Sequence, residues 1–194
     1  MASENKPQPV TKWLRDWQRH PNNARLDERP VEALYSELRP VAAQLLLRES
    51  RSAFTPTELV HETWLRLKPP ETVIADRNSF LRLASVAMRH LLVDQARERL
   101  AKKRYGVMQT ITLSLADSGT QHVLDDMQML DLDRALDALA GDHPRVAEAV
   151  TLRTFAGMDL NELAVTLSVS LATVKRDLSF GRAWLTAKLQ DSQP

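Results

Sequence analysis

Cysteine is absent from the 194-residue sequence, and its absence excludes whole classes of protein. Disulfide frameworks, thiolate zinc sites and cysteine nucleophiles are all excluded. The five histidines are dispersed and none lies in a cluster with carboxylates, so we expect no catalytic residue, no metal site and no cofactor. The composition therefore predicts a non-enzymatic protein of the cytoplasm.

Glycine and long apolar runs are scarce as well. With only 5 glycines and many Leu, Ala, Arg and Glu residues, the sequence favours helices throughout. No apolar stretch approaches the roughly 20 residues that cross a bilayer. Residues 1–9 lack the apolar core of a signal peptide. We therefore expect an all-α protein without membrane insertion.

The helical pattern is interrupted between Tyr105 and Asp131. This stretch contains aspartates but no Lys or Arg, and it includes a turn-like run at residues 117–120. We interpret it as a flexible acidic linker, which is either a solvated tether or a segment whose charge has a function. The predicted organisation is a disordered N-terminus (1–9), a helical domain (10–106), the linker (107–131), a second helical domain (132–190) and a tail (191–194).

Apolar spacing and capping residues predict the helices that precede the linker. They are a helix over residues 10–17; a helix from Pro30, which Pro40 kinks or ends early; a helix started by a capping box of Thr55 and Glu58; and a long helix from a cap at Asn78 or Ser79 to Gly106.

Residues 163–176 have the spacing of a helix-turn-helix. Ala164 is the small residue where two helices approach, Ser168 forms the corner and Val174 fixes the second helix to the core. The corner usually holds glycine, so Ser168 is expected to adopt an unfavourable φ. An ordinary corner between two helices of a bundle is the alternative interpretation.

The second helix of this motif is cationic in its first turns, where base edges are met in the major groove. The coincidence of a cap, a corner and a cationic first turn favours DNA binding over the ordinary corner. The predicted reading face consists of Ser170, which also caps the helix, Thr173, Lys175, Arg176 and Arg182.

The long helix ends in a run of cations at residues 97–104, and Arg82 and Arg89 are expected on an outward face upstream. A basic helix end can be a solvated face that complements the helix dipole. The cations outnumber what the dipole requires, so the pattern favours a phosphate-binding surface. Its candidate residues are Arg77, Asn78, Arg82, Arg89, Arg97, Arg99, Lys102, Lys103 and Arg104.

Two parts of the sequence resemble one known family. Residues 57–67 (TELVHETWLRL) and 80–97 (FLRLASVAMRHLLVDQAR) resemble region two of the extracytoplasmic-function (ECF) sigma factors, in the subset whose helix reads Leu-Val-His-Glu. Residues 174–177 (VKRD) and 182–185 (RAWL) resemble region four. The resemblance implies an alternative sigma factor with two helical domains, which binds core RNA polymerase and directs promoter recognition, melting and transcription initiation.

The resemblance also implies a role for each candidate surface. The helix over residues 59–67 would bind the coiled coil of the largest polymerase subunit. The cations of the long helix would open the upstream melting element, the helix-turn-helix would bind the distal promoter element, and the acidic linker would thread the RNA exit path. The implied polymerase-binding residues are Glu58, Leu59, His61, Glu62, Trp64 and Leu65.

One departure from the family pattern concerns the charge of the polymerase-binding helix. Many ECF factors carry carboxylates where this sequence has Thr55 and Thr57. We hypothesise that a Ser/Thr kinase supplies the charge by phosphorylating Thr55, Thr57 or Thr63. Thr63 is expected to project toward the partner beside His61 and Trp64. An anti-sigma factor is the other expected regulatory partner.

The alternative function is a helix-turn-helix repressor or activator that acts without replacing a sigma factor. Such a protein would carry a ligand-sized apolar pocket or a dimerisation helix. The acidic linker and the second basic helix argue against it.

Overall fold

A computed structural model of the chain describes residues 28–47, 54–67, 76–104 and 125–190, and every regular element within these ranges is an α-helix. The prediction of an all-α fold is therefore confirmed. The predicted helix at residues 10–17, Gly106, most of the predicted linker and both tails lie outside the described residues. The helices are α1 (Glu28–Leu47), α2 (Pro56–Arg66), α3 (Arg77–Arg104), α4 (Asp126–Asp142), α5 (Pro144–Phe155), α6 (Leu160–Thr166) and α7 (Leu171–Gln190).

Local capping signals determine the starts of α2 and α6, and the start of α2 is the predicted one. The backbone N–H of Glu58 donates to the hydroxyl of Thr55 at 3.2 Å, and the Glu58 carboxylate accepts from the Thr55 N–H at 2.7 Å. The same reciprocal box joins Asp159 and Glu162 at α6. None of the helices in the described ranges is long and apolar enough to span a membrane.

The early end of α1 at Pro40, which was one of the two predicted outcomes, and the predicted cap of α3 are both wrong. Helix α1 is not ended early, because it continues through Pro40 to Leu47. Leu38, Ala42 and Leu45 are buried on both sides of the proline, and their packing offsets the lost backbone hydrogen bond. The cap of α3 is Asp76 rather than residue 78 or 79, since its carboxylate accepts from the Ser79 N–H at 2.7 Å.

Helix α3 is the central element of the fold, because it packs against α2 and also against α4 and α5. One stripe of α3 is buried at Phe80, Ala84, Ala87 and Leu91 and partly buried at Leu83. A further set of α3 residues is buried in addition: Leu81, Met88, Leu92, Val93 and Ala96. Such wide burial follows from the contact of α3 with helices from both halves of the chain. One apolar core therefore runs through the first set of helices, α1 to α3, and the second set, α4 to α7.

The start predicted for the second set of helices is also wrong. Helix α4 begins at Asp126, six residues before the expected boundary at Leu132, and its first turns belong to the predicted linker. Asp125 and Gln128 form a capping box, and Met129 is buried in the core. The aspartates suggested a solvated segment, but here one caps the helix and the next, Asp126, is buried against α3.

Candidate nucleic-acid interface

The predicted helix-turn-helix is present, with α6 and α7 joined by residues 167–170. Ser168 has φ 54°, and it is the one non-glycine residue with positive φ in the described part of the chain. The expectation of an unfavourable φ at this corner is confirmed. The Val169 N–H donates to the Ala164 carbonyl at 3.0 Å, which closes the turn at the predicted small residue.

Helix α7 is held in one orientation by a buried face of Val174, Asp177, Gly181 and Leu185. The Asp177 carboxylate accepts two hydrogen bonds from the Arg145 guanidinium of α5, at 2.8 and 3.2 Å. The hydrogen bonds and the charge of Asp177 raise the pKa of Arg145. Gly181 lies so close to α5 that an added Cβ would meet a Val150 methyl at 2.7 Å. These contacts point the opposite face of α7 outward.

The outward face carries the predicted reading residues. Lys175, Arg176 and Arg182 are exposed, and within the described ranges none of their side chains forms an ion pair or hydrogen bond. Ser170 accepts from the Thr173 N–H at 3.1 Å, so its predicted capping role is confirmed. This surface therefore offers free cationic donors in the first turns of an anchored helix, at Lys175 and Arg176, and a further one at mid-helix, at Arg182, as major-groove binding requires.

An exposed aromatic side chain on the same face was missed by the sequence reasoning. Phe180 follows Arg176 by one helical turn and is 43% exposed. Its ring meets the ring of His143 edge-on, with centroids 4.8 Å apart. The i, i+4 spacing from Arg176 was the available signal, and an exposed aromatic ring can contact a thymine methyl group.

The candidate cations of α3 have different surroundings from those predicted. Arg89 is only 8% exposed, so the expected outward face at this position is wrong. Arg82 is partly exposed but bonds to Glu148 and to the Thr166 carbonyl. Asn78 is half-buried, Lys102 pairs with Glu98 of its own helix at 2.7 Å, and the side chains of Lys103 and Arg104 are not described.

Five arginines of α3 pair with carboxylates of α4, α5 and α6, and we call this set of ion pairs the clasp. Helices α3 and α4 run antiparallel along it, since the residue numbers of the partners change in opposite directions. Burial opposes the charge of Arg89, but hydrogen bonds and attraction from Asp137 and Asp133 raise its pKa. The pairs are Arg77–Glu162 at 3.1 Å, Arg82–Glu148 at 2.6 Å, Arg89 with Asp133 at 2.7 Å and with Asp137, Arg97–Asp133 at 3.4 Å and Arg99–Asp126 at 2.7 Å.

Helix α2 exposes only part of its predicted polymerase-binding set. Glu58, His61 and Leu65 are exposed and Glu62 is partly exposed, and His61 lies 2.9 Å from the Tyr35 hydroxyl. Hydrogen bonds from the backbone and then the side chain of Thr55 lower the pKa of Glu58, which favours its charged form. The inclusion of Leu59 is wrong, because this side chain is fully buried.

The remaining α2 candidates also differ in their exposure. Trp64 packs inward with its ring centroid 6.3 Å from that of Phe80, which favours a core role over a partner-facing one. The predicted outward projection of Thr63 is wrong, because its side chain is buried and its hydroxyl donates to the Leu59 carbonyl at 2.7 Å. Thr55 is a helix cap, and Thr57 is exposed.

Comparison with known families decides between the possible classes of helix-turn-helix protein. The sequence model of one family, described as ECF sigma factor, matches residues 7–191. The chain belongs to the ECF sigma factor family. This membership confirms the resemblance and supports the expectation of a regulator rather than an enzyme.

A curated relative agrees with this placement of the ECF sigma factor. The ferric citrate uptake sigma factor FecI of Escherichia coli (strain K12) is 31% identical over 154 residues, which cover 75% of this chain and 82% of the relative. No solved structure matches the chain.

The sequence reasoning missed the acidic residues of this ECF sigma factor that face α3. Asp126, Asp133 and Asp137 have i, i+7 and i+11 spacing, which places them on one side of α4 together with the buried Met129. That shared stripe was the available signal. A carboxylate on an apolar stripe needs a cationic partner, and the arginines of α3 provide it.

Proposed function

We propose that this ECF sigma factor binds core RNA polymerase and directs promoter recognition, melting and transcription initiation. The observation that carries the proposal is the anchored helix α7, whose Lys175, Arg176 and Arg182 are exposed and without ion-pair partners in the described ranges. Cationic forks in the first turns of such a helix suit bidentate contacts to guanine. The relative at 31% identity is itself named a sigma factor.

The two sets of helices have different roles in this proposal. Helices α4 to α7 form the domain that reads the distal promoter element. Helices α1 to α3 form the domain that holds the melted strand, with the arginines of α3 contacting its phosphates. The acidic segment between the domains passes through the RNA exit path, and the chain acts in the cytoplasm.

The polymerase-binding surface in this proposal is the outer face of α2. Glu58, His61, Glu62 and Leu65 present charge, an imidazole and an apolar side chain on one exposed surface. The acidic charge is small for binding a basic coiled coil, and phosphorylation of a threonine would add about −1.5 to −2. Thr57 is exposed and lies outside the capping pair, and a phosphate there would lie at the positive end of the helix dipole.

The other two threonines remain candidates under stricter conditions. Phosphorylation of Thr55 would replace the hydroxyl that caps α2. Phosphorylation of Thr63 would require α2 to separate from its packing, because this side chain is buried. Binding of an anti-sigma factor to the same helices is the other form of control in the proposal.

Run-off transcription tests the proposed function. Purified protein and core polymerase are incubated with a linear library of randomised promoter sequences, each linked to a transcribed barcode, and the RNA barcodes and 5′ ends are sequenced. We expect transcripts that depend on the protein and whose templates share two sequence blocks upstream of the start site. Arg176→Ala should remove the selection of the distal block, whereas Lys188→Ala, a cation about three turns further along α7, should leave it unchanged.

Transcripts that are the same with and without the protein would overturn the proposal. Binding of duplex DNA without any polymerase-dependent transcription would support the repressor or activator instead. Co-purification of core polymerase with the full-length protein provides the second, independent measurement.

A further inference from the structure

Five of the arginines assigned to promoter melting are already occupied. In the described part of the chain, Arg77, Arg82, Arg89, Arg97 and Arg99 each bind a carboxylate of α4, α5 or α6 through the clasp. A guanidinium binds carboxylate and phosphate with the same planar fork of donors. Each N–H that donates to a carboxylate is withheld from a phosphate, so the carboxylates of the clasp compete with strand phosphates for these arginines.

The centre of the clasp is buried. Arg89 is 8% exposed and Asp133 is 7% exposed. Asp133 accepts from Arg89 Nε at 2.8 Å, and the Asp133 carbonyl accepts a second bond from the same guanidinium at 3.1 Å. A DNA strand therefore reaches the Arg89 guanidinium only when α4 moves away.

We propose that the acidic face of α4, α5 and α6 is a docking surface for α3, and that in the docked state it excludes promoter DNA from the melting face. The inference rests on the function proposed above for α3. The docked state leaves Lys175, Arg176 and Arg182 exposed, so the distal element can be read before the two sets of helices separate. Binding of core polymerase, which must place the two sets on separate parts of the promoter, would then select the open state.

A second contact between the two sets of helices provides a direct test. Gly157, in the loop between α5 and α6, lies against Val41 of α1. A Cβ at Gly157 would lie 3.7 Å from the Cβ of Val41. Disulfides have a mean Cβ–Cβ separation of about 3.8 Å. The chain has no cysteine of its own, so a Val41→Cys, Gly157→Cys variant would form a single disulfide that holds the docked state.

The disulfide variant is oxidised, freed of oxidant and mixed with core polymerase on a promoter from the run-off experiment. Permanganate reactivity of the promoter then reports melting. We expect melting to fall at least about tenfold in the oxidised protein and to return with dithiothreitol, because the competent state is removed and then restored. Binding of distal-element duplex by the oxidised protein should be unchanged, which shows that the protein remains folded.

Each other outcome separates the inference from the proposed function. Equal melting by the oxidised and reduced variant would overturn docking as an inhibitory state while leaving the sigma activity intact. Gly157 has φ 69°, where a cysteine is strained, so the reduced variant is first checked for normal binding of distal-element duplex. If such a folded variant forms no disulfide, the docked arrangement is not populated and the inference is overturned too. Absence of transcription with the wild-type protein would instead contradict the proposed function.

A complementary experiment opens the docked state without touching α3. Asp133→Asn with Asp137→Asn removes both carboxylates that hold Arg89, and we expect the free protein to bind single-stranded promoter DNA several-fold more tightly. Asp131→Asn is the matched control, since Asp131 pairs with Arg134 of its own helix at 3.3 Å. Equal affinity of the double variant and the control would overturn the inference, whatever the disulfide variant shows.

Discussion

At the residue scale, Ser168 shows how a local pattern determines a local shape. It connects α6 to α7 with φ 54°, a conformation in which the side chain of an L-residue crowds the backbone. The helix-turn-helix tolerates this strain because the residues on either side are fixed by caps and by the core. Val169 closes the turn onto Ala164, and Ser170 caps α7.

The strain at Ser168 predicts the effect of a substitution. Ser168→Gly should raise the free energy of unfolding by about 1 kcal/mol, because glycine removes a steric cost of roughly 1–2 kcal/mol in the left-handed region. Urea denaturation followed by circular dichroism measures the change. Ser168→Ala should give no such gain, and equal stabilities of the glycine and alanine variants would contradict the assignment of strain.

The reading face of α7 gives a second prediction at this scale. Arg176→Ala or Lys175→Ala should weaken binding to the distal-element duplex, each lost bidentate base contact amounting to about 1–3 kcal/mol. Both side chains are exposed and contribute to no buried contact, so the stability of the protein should not change. Fluorescence anisotropy with cognate and mismatched duplexes measures the loss, which should be larger for the cognate sequence.

At the element scale, α2 combines a capped start, an accessible Thr57 and a buried Thr63. We expect Thr57→Glu to strengthen binding to core polymerase, because it adds negative charge at the exposed start of the helix. Thr57→Gln has nearly the same shape without the charge and is the matched control in a pull-down assay. Equal binding by the Glu and Gln variants would contradict a role for charge at this position.

Thr63→Glu should behave differently from Thr57→Glu. It places a carboxylate in the core, where Thr63 now donates to the Leu59 carbonyl, so it should lower the thermal stability of the protein. The comparison of the two variants separates charge on the surface of α2 from disruption of its packing. A stable Thr63→Glu protein with tighter polymerase binding would assign the switch to Thr63 instead.

The elements also show how far the sequence alone could predict the fold and the site. The boxes at Thr55 and Asp159 and the corner at Ser168 were predictable, because each depends on residues within four positions of one another. The burial of Arg89 and Asp126 was not, because it depends on which distant helix covers a charged side chain. The sequence pattern assigned the arginine to a DNA-binding surface and the aspartate to a solvated linker. In the structure each of them pairs with an oppositely charged side chain of the same chain.

At the scale of the whole molecule, the packing of α3 against α4 predicts how a nicked chain behaves. We expect limited proteolysis to cut within residues 105–124, where the sequence has no helical periodicity. Chymotrypsin is the suitable enzyme, since the stretch contains no Lys or Arg for trypsin. The two fragments should elute together from a sizing column at low salt, because the clasp and the shared apolar core hold them.

Salt should weaken this association, since the Debye length falls from about 10 Å at 0.1 M to about 3 Å at 1 M. The nicked Asp133→Asn, Asp137→Asn variant should therefore separate at lower salt than the nicked Asp131→Asn protein. Fragments that part at low salt in the wild-type protein would contradict packing of the two sets of helices in solution.

The clasp has a consequence for the whole chromosome. Bulk DNA offers about 10⁶–10⁹ competing sites to any protein with an exposed basic helix, and such binding needs no particular sequence. Each phosphate contact withheld from the protein lowers the logarithmic salt slope of this binding by about 0.9. Five arginines turned toward the protein's own carboxylates would weaken this titration of the unassembled factor onto the genome. A larger free pool would then remain in solution, where polymerase can capture it.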